Sequence, residues 1–308
     1  MVKEGISMKK IGKLLFSSTL LLSLFACSPK KSDNVIKNKR TQENQQFKKI
    51  TMGYFPQRYV ENFEYWDDVP SYPSPQDDGV WTRSRFLDYD NQEICWYYDI
   101  DVDSDGLYDY RAVSYQGSCN IYKFEPLEWD ILEEKDGKAI AISHLVLEKG
   151  WSSHYDYPNC FYYDKTDLRK WLNNDFYNIA FSSSEKEKII TTLVKNNKEQ
   201  ACTTNVDFDG LACDDTEDNV YVLSYKEAIT YYKNETSRRA KATEYVIDGM
   251  DHKNNNDENQ YYSWRLRGPG WNIGRAATVM DIGYITADYM VNDQDQGIRP
   301  VICIDLNN

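Results

Sequence analysis

Leu127-Glu128-Trp129-Asp130-Ile131-Leu132, a turn signal at Asp136-Gly137 and Ala139-Ile140-Ala141-Ile142-Ser143 read as two strands folded back on each other. Polar and apolar residues alternate at the start of the first run, and an Asp-Gly pair suits a tight hairpin turn. Strands joined this way are antiparallel neighbours. Upstream, Trp96 to Ile100, Tyr108 to Ser114 and Ile121 to Phe124 read as further strands, and residues 50–55 as an opening strand stopped by Pro56. Downstream come helical signals. Leu168, Trp171 and Leu172 fall at i, i+3 and i+4 behind Asp164 and Thr166, one short amphipathic helix. Ser184 with Glu187 reads as a capping box ahead of Ile189, Ile190, Leu193 and Val194. Ser224 with Glu227 repeats the device after a strand from Val220 to Leu223. Residues 250–260 read as a polar loop, and strands resume at Tyr261 to Leu266, Ala276 to Ile285 and Ile298 to Ile304. Strands, then two to three short helices, then strands predict an α+β fold rich in antiparallel sheet.

The N-terminal segment bears on location. Lys9, Lys10 and Lys13 precede an apolar run from Leu14 to Phe25, and Leu24-Phe25-Ala26-Cys27 closes it. The run is about a dozen residues, short of the ~20 needed to span a bilayer. Residues 1–26 therefore read as a lipoprotein signal peptide, with Cys27 as the site of lipid attachment, palmitate included. An ordinary signal peptide that contains a cysteine is the plainer alternative, and Met8 heads the segment as well as Met1 does. Residues 27–49 read as a flexible basic tether, too poor in large apolar residues to fold. Residues 50–308 form the body, including a loop-rich insertion and acidic hairpin at about 62–120. The expected place is the cell envelope, lipid-anchored and extracytoplasmic, with the membrane as a partner through the lipid.

The whole chain carries a net charge of −13, and the basic tether leaves the body more acidic still. That excludes nucleic-acid binding by any electrostatic route. Aromatic residues make up 14% of the chain, with 25 Tyr and 8 Trp, which suits pleated sheet and also a protein- or glycan-binding face. Besides Cys27 there are Cys95, Cys119, Cys160, Cys202, Cys213 and Cys303, an even set that suggests disulfides in an exported chain. Cys202–Cys213 brackets a short polar loop and is the first candidate pair. Cys95–Cys119 brackets the acidic hairpin and is the second; Cys160–Cys303 follows by elimination.

The sharpest local motif is Asp99-x-Asp101-x-Asp103-x-Asp105-Gly106-x-x-Asp109. Alternating aspartates around a glycine turn supply the converging oxygens that a hard cation needs, so Asp101, Asp103, Asp105 and Asp109 are candidate calcium ligands. The bidentate Glu of an EF-hand is missing, since Ala112 holds its position, and a charged hairpin tip is the preferred account. Asp207, Asp209, Asp214, Asp215, Glu217 and Asp218 form a second acidic cluster, read as a solvated loop. Catalytic signals are sparse: His144, His154 and His252 have no metal-binding spacing, and there is no nucleophile elbow or phosphate loop.

Six motifs in order resemble the bacterial family catalogued as domain of unknown function 6273. They are Gly53 to Gln57, Phe124 to Leu132, Leu168 to Tyr177 running on to Ser182, Val222 to Ala228, Trp264 to Gly270, and Gly297 to Val301. The last two motifs are also similar to C-type-lectin-like and sulfatase-modifying folds. The family resemblance implies no established activity. Trp264, Arg267 and Arg299 stand as a ligand-site or structural motif, and a structural role is preferred because Arg is rarely buried unless paired. These readings predict an envelope-anchored lipoprotein whose body is a C-type-lectin-like, non-enzymatic binding module for an unknown protein or glycan. The alternatives are an enzyme distantly related to the sulfatase-modifying fold and a purely structural envelope component. No cofactor is expected beyond calcium at the hairpin.

Overall fold

The computed structural model describes residues 45–71, 82–84, 95–115, 118–150, 162–202, 213–248, 261–270, 275–290 and 296–307. The signal segment, Cys27, most of the tether, Cys160, His154, His252, Asp207, Asp209 and the polar loop 250–260 lie outside them. Residues 42–308 gather into one compact unit. Among the described residues no helix is long and apolar enough to cross a membrane.

The architecture is α+β with mainly antiparallel sheets. The larger sheet is built on six strands in chain order, β1 (Lys49–Tyr59), β2 (Thr82–Ser84), β3 (Cys95–Ile100), β4 (Tyr110–Tyr115), β5 (Ser118–Lys135) and β6 (Lys138–Ser143), completed by Val301–Asp305 and Val220–Tyr221. The opening hairpin of the sequence is β5–β6, closed by Asp136 and Gly137, both at positive φ. The sequence divides β5 at Pro126 and stops β1 at Pro56, yet both strands run through their prolines. Pro56 pairs with Phe124 and Tyr54 with Pro126, with register shifts on either side. Bulged, irregular pairing is where a strand tolerates a residue with no N–H.

β5 is long enough to hold three neighbours. β1 lies against it, β4 covers its N-terminal part as far as Lys123, and β6 begins at Trp129. Between Lys123 and Trp129 neither β4 nor β6 pairs with β5, which leaves a notch in the sheet.

Trp264–Pro269, Arg275–Val279 and Ile285–Met290 meander into a second sheet that Gly297–Ile298 and Glu148–Lys149 extend. The stretch from Ala276 to Ile285, which reads as one strand, is two strands around a turn at Gly283, φ 86°. Likewise Gly297–Ile298 and Val301–Asp305 belong to different sheets, with the chain crossing between them at Arg299-Pro300.

Short helices fill the middle of the chain. Asp167–Trp171, a π-helical turn at Leu172–Phe176 and Tyr177–Ala180 run on without a break; Leu168 and Leu172 are buried as their spacing predicts, Trp171 is half-buried, and Phe176 extends the buried face beyond the predicted stripe. Ser224 and Glu227 form the expected capping box of Tyr225–Tyr231. The other box is Ser182 with Glu185, capping the single turn Ser183–Lys186. The Ile189–Val194 segment is extended instead of helical. Ile190 donates its N–H to the Cys303 carbonyl at 2.7 Å, and Thr192–Val194 pairs with Thr216–Asp218. β-Branched residues at an open strand edge favour this over another helix turn.

One apolar core joins the sheets and helices around Phe55, Trp129, Leu168, Leu172, Phe176, Val222 and Trp264, all at most 2% exposed. A smaller core of Phe63, Trp96, Ile100, Ala112 and Ile121 lies under the insertion.

Candidate functional site

Two clefts adjoin on the β1–β5 face. The larger, about 690 Å3, lies along the notch and is lined by Thr51, Tyr54, Phe124, Glu125, Glu128 and His144, among others. The smaller, about 230 Å3, is lined by Leu107, Tyr108, Ser182, Ser184 and Glu185, and again by Tyr54 and Phe124. The two aromatic residues thus belong to both. Tyr54 is 46% exposed and Tyr108 41%, while the Phe124 ring lies 6.0 Å from that of Tyr108. Tyr54 and Tyr108, large flat side chains with one wet face, are suited to stacking on a ligand, and Phe124, 5% exposed, backs Tyr108. Nearby on the insertion, Tyr65 and Trp66 are exposed and pack their rings on Phe63.

The polar rim is ordered by internal pairs. Glu128 takes the Lys49 ammonium at 2.7 Å and Glu125 the Arg58 guanidinium at 2.8 Å, while Gln57 donates to the carbonyls of Glu125 and Pro126. His144 sits one residue past β6, its N–H on the Glu128 carbonyl and its Nδ1 3.0 Å from both carboxylate oxygens of Asp130.

Leu107 and Tyr108 are carried by the acidic hairpin. There the carboxylate oxygens of Asp101, Asp103 and Asp109 lie within 4.8 Å of one another. Asp105, a candidate ligand from the sequence, is outside that group. Its Oδ1 accepts from the Leu107 N–H at 2.8 Å, and its own N–H turns to Asp101 and Asp103. Gly106, φ 88°, donates to Asp101, and Val102 to Asp109. Ala112 is fully buried opposite Tyr98, where no ligand would fit. Asp99 lies across the ladder from Arg111 and holds it bidentately at 2.6 and 2.8 Å. Arg111 is buried among Phe55, Tyr97, Phe124 and Tyr245, with Glu148 4.0 Å away. Burial pushes the Glu148 carboxyl above its ordinary range and the Tyr97 hydroxyl up to about 12.

The Trp-x-Leu-Arg and Gly-Ile-Arg-Pro residues line neither cleft and are internally committed. Arg267 is 5% exposed and donates to Glu227 through both terminal nitrogens, to the carbonyls of Val222 and Lys195, and to Asn196. The hollow beside it measures about 10 Å3, room for about one water. Arg299, 2% exposed, donates to the Ser143 and His144 carbonyls and to Tyr232, and lies over the Trp264 ring at 4.9 Å. Trp264 is fully buried, its indole N–H on the Arg238 carbonyl.

Asp218, read as part of a solvated acidic loop, is instead buried in a strand and takes Arg169 at 2.7 Å. Asn173 braces the same strands by accepting from Asn219 and Val220. Cys119, Cys202, Cys213 and Cys303 are free thiols in the structure, so neither Cys202–Cys213 nor Cys95–Cys119 is formed; the Cys95 side chain lies outside the described residues. Burial pushes the Cys202 and Cys213 thiols up to about 11.

The sequence model of the family described as Domain of unknown function (DUF6273) matches residues 136–306. The chain belongs to this family. The DUF6273 match covers four of the six motifs quoted above, with Gly53–Gln57 and Phe124–Leu132 upstream of it. It includes His144, Arg267 and Arg299 but leaves all the cleft-lining β1 and β5 residues outside. No curated protein and no solved structure matches the chain.

Proposed function

We propose that this DUF6273 protein is an envelope-anchored lipoprotein, tethered through Cys27, whose body is a C-type-lectin-like binding module for a glycan. The observation that carries the reading is the pair of adjoining clefts that share Tyr54 and Phe124. An aromatic face flanked by carboxylates, an amide and hydroxyls fits a sugar ring, which offers C–H groups on its faces and hydroxyls at its edge. The acidic hairpin belongs to the same proposal, because a calcium ion held by Asp101, Asp103 and Asp109 would stiffen the turn that carries Leu107 and Tyr108 into the smaller cleft.

The binding test is calorimetric titration of the full chain with chitotetraose and cellotetraose, alongside Tyr54→Ala and, as control, Tyr284→Ala, an exposed tyrosine that lines neither cleft. Binding that Tyr54→Ala removes and Tyr284→Ala spares is expected. Equal binding by all three proteins would take the glycan site away from Tyr54 and its clefts, and no binding by the wild type would sink the glycan reading. The anchor is checked separately by incorporation of labelled palmitate, which Cys27→Ser should abolish.

A further inference from the structure

We infer that His144 is the ligand-facing polar group of the larger cleft, a hydrogen-bond acceptor held ready for a hydroxyl by Asp130 and Arg299. This inference rests on the binding reading above and names the atom that would do the recognising.

The argument starts from what each atom is able to do. A carboxylate only accepts, so the contact between Nδ1 and both Asp130 oxygens requires Nδ1 to carry the hydrogen. In the neutral imidazole Nε2 is then left with its lone pair. Among the described residues Nε2 has no hydrogen-bond partner, and the side chain is 40% exposed along the cleft wall.

Three further observations make this a built arrangement. The Asp130 side chain is 10% exposed, and the buried Arg299 guanidinium lies 3.6 Å behind its Oδ2. Arg299 is itself fixed by two hydrogen bonds to the Ser143 carbonyl, at 3.0 and 2.7 Å, and by Tyr232. The His144 backbone is pinned to Glu128 at 2.8 Å. A ring held at its backbone, at one nitrogen and through the group behind that nitrogen has little orientation left to lose when a ligand binds.

The neighbours define the ligand class. Glu125, Glu128 and Nε2 are acceptors, while Lys123, Gln57, Thr51 and Tyr54 bring donors to the same lining, so the cleft suits a group that both donates and accepts, as a hydroxyl does. The two glutamates are paired with Arg58 and Lys49 and share the lining with the Lys123 ammonium, which offsets their pull on a cationic ligand and favours uncharged hydroxyls. Asp130 and Arg299 are positioning residues here, acting through His144.

The test is two-armed, with histidine-labelled full-length protein observed by long-range proton–nitrogen NMR at a pH where the imidazole is neutral. His144→Gln assigns the signal. The first arm uses no ligand: His144 should sit in the Nδ1–H tautomer, and Asp130→Asn should shift it toward Nε2–H. An Nε2–H tautomer in the wild type overturns the inference while leaving the glycan reading intact. The second arm adds chitotetraose and cellotetraose. Movement of the His144 nitrogen signals, with affinity weakened about tenfold by His144→Gln, supports the inference. Binding with the imidazole unmoved overturns it and spares the glycan reading; no binding by either sugar overturns both.

Discussion

Glu227 closes the capping box of its own helix and, with the same carboxylate, holds both terminal nitrogens of Arg267 on a strand of the second sheet. A helix start is thereby fastened to a sheet through one side chain. Removing one partner of a buried pair strands the other's charge and costs about 3–5 kcal/mol. Glu227→Ala also loses the cap, worth about 1 kcal/mol. Both Arg267→Ala and Glu227→Ala should therefore shift urea midpoints well down, and the double variant should cost less than the sum. Additive losses would mean that the pair does not act as a unit.

The raised Glu148 carboxyl sets a pH dependence. Burial is the main cause, outweighing the nearby Arg111, and the folded protein holds this proton more tightly than the unfolded chain does. The contribution to stability is thus fully present below the ordinary carboxylate range and is lost as pH climbs through the raised folded value. Glu148→Gln should flatten that decline in melts recorded across the acid range. An identical slope in both proteins would assign the decline elsewhere.

A calcium titration distinguishes a metal site from a charged turn at Asp101, Asp103 and Asp109. A ligand present at a hundred times its dissociation constant adds about 2.7 kcal/mol to stability, a clear rise in melting midpoint. Such a rise, reversed by chelator and abolished by Asp103→Ala, is the expected result. An unmoved midpoint would reduce the hairpin to its own backbone hydrogen bonds.

With their thiols held up to about 11, Cys202 and Cys213 should be alkylated by iodoacetamide at pH 8 on the order of a hundredfold more slowly than a free thiol, and readily once unfolded. The same experiment without reductant decides the pairing. Failure to label even in denaturant would mean that the cysteines are bridged, contrary to the free thiols seen here.

What the sequence reveals of this fold depends on how far each signal reaches. The Ser224–Glu227 box is legible because nothing nearby competes with it. The run Ser182-Ser183-Ser184-Glu185-Lys186-Glu187 contains two overlapping boxes, Ser182 with Glu185 and Ser184 with Glu187. The choice falls to a distant group: the Gly53 N–H donates to Glu185 at 2.6 Å, a partner 132 residues away. Pro126 looks like the end of a strand only while its neighbours are unknown; in the sheet it sits where neither β4 nor β6 asks for its missing N–H. The Asp130–His144 contact was within reach of the hairpin register, since Asp130 pairs with Ile142. A histidine read without metal spacing hides that relation, and Arg299, 155 residues on, is invisible to any local pattern.

The crossing at Arg299-Pro300 has a consequence for how the molecule comes apart. Five residues, Gly297 to Val301, enter one sheet and leave in the other, while the arginine between them grips carbonyls at the end of β6. Neither sheet is free to open its hydrogen bonds along this segment without disturbing the other. Amide protons on both sides should therefore exchange with solvent together, at the rate of whole-body unfolding, as one cooperative unit.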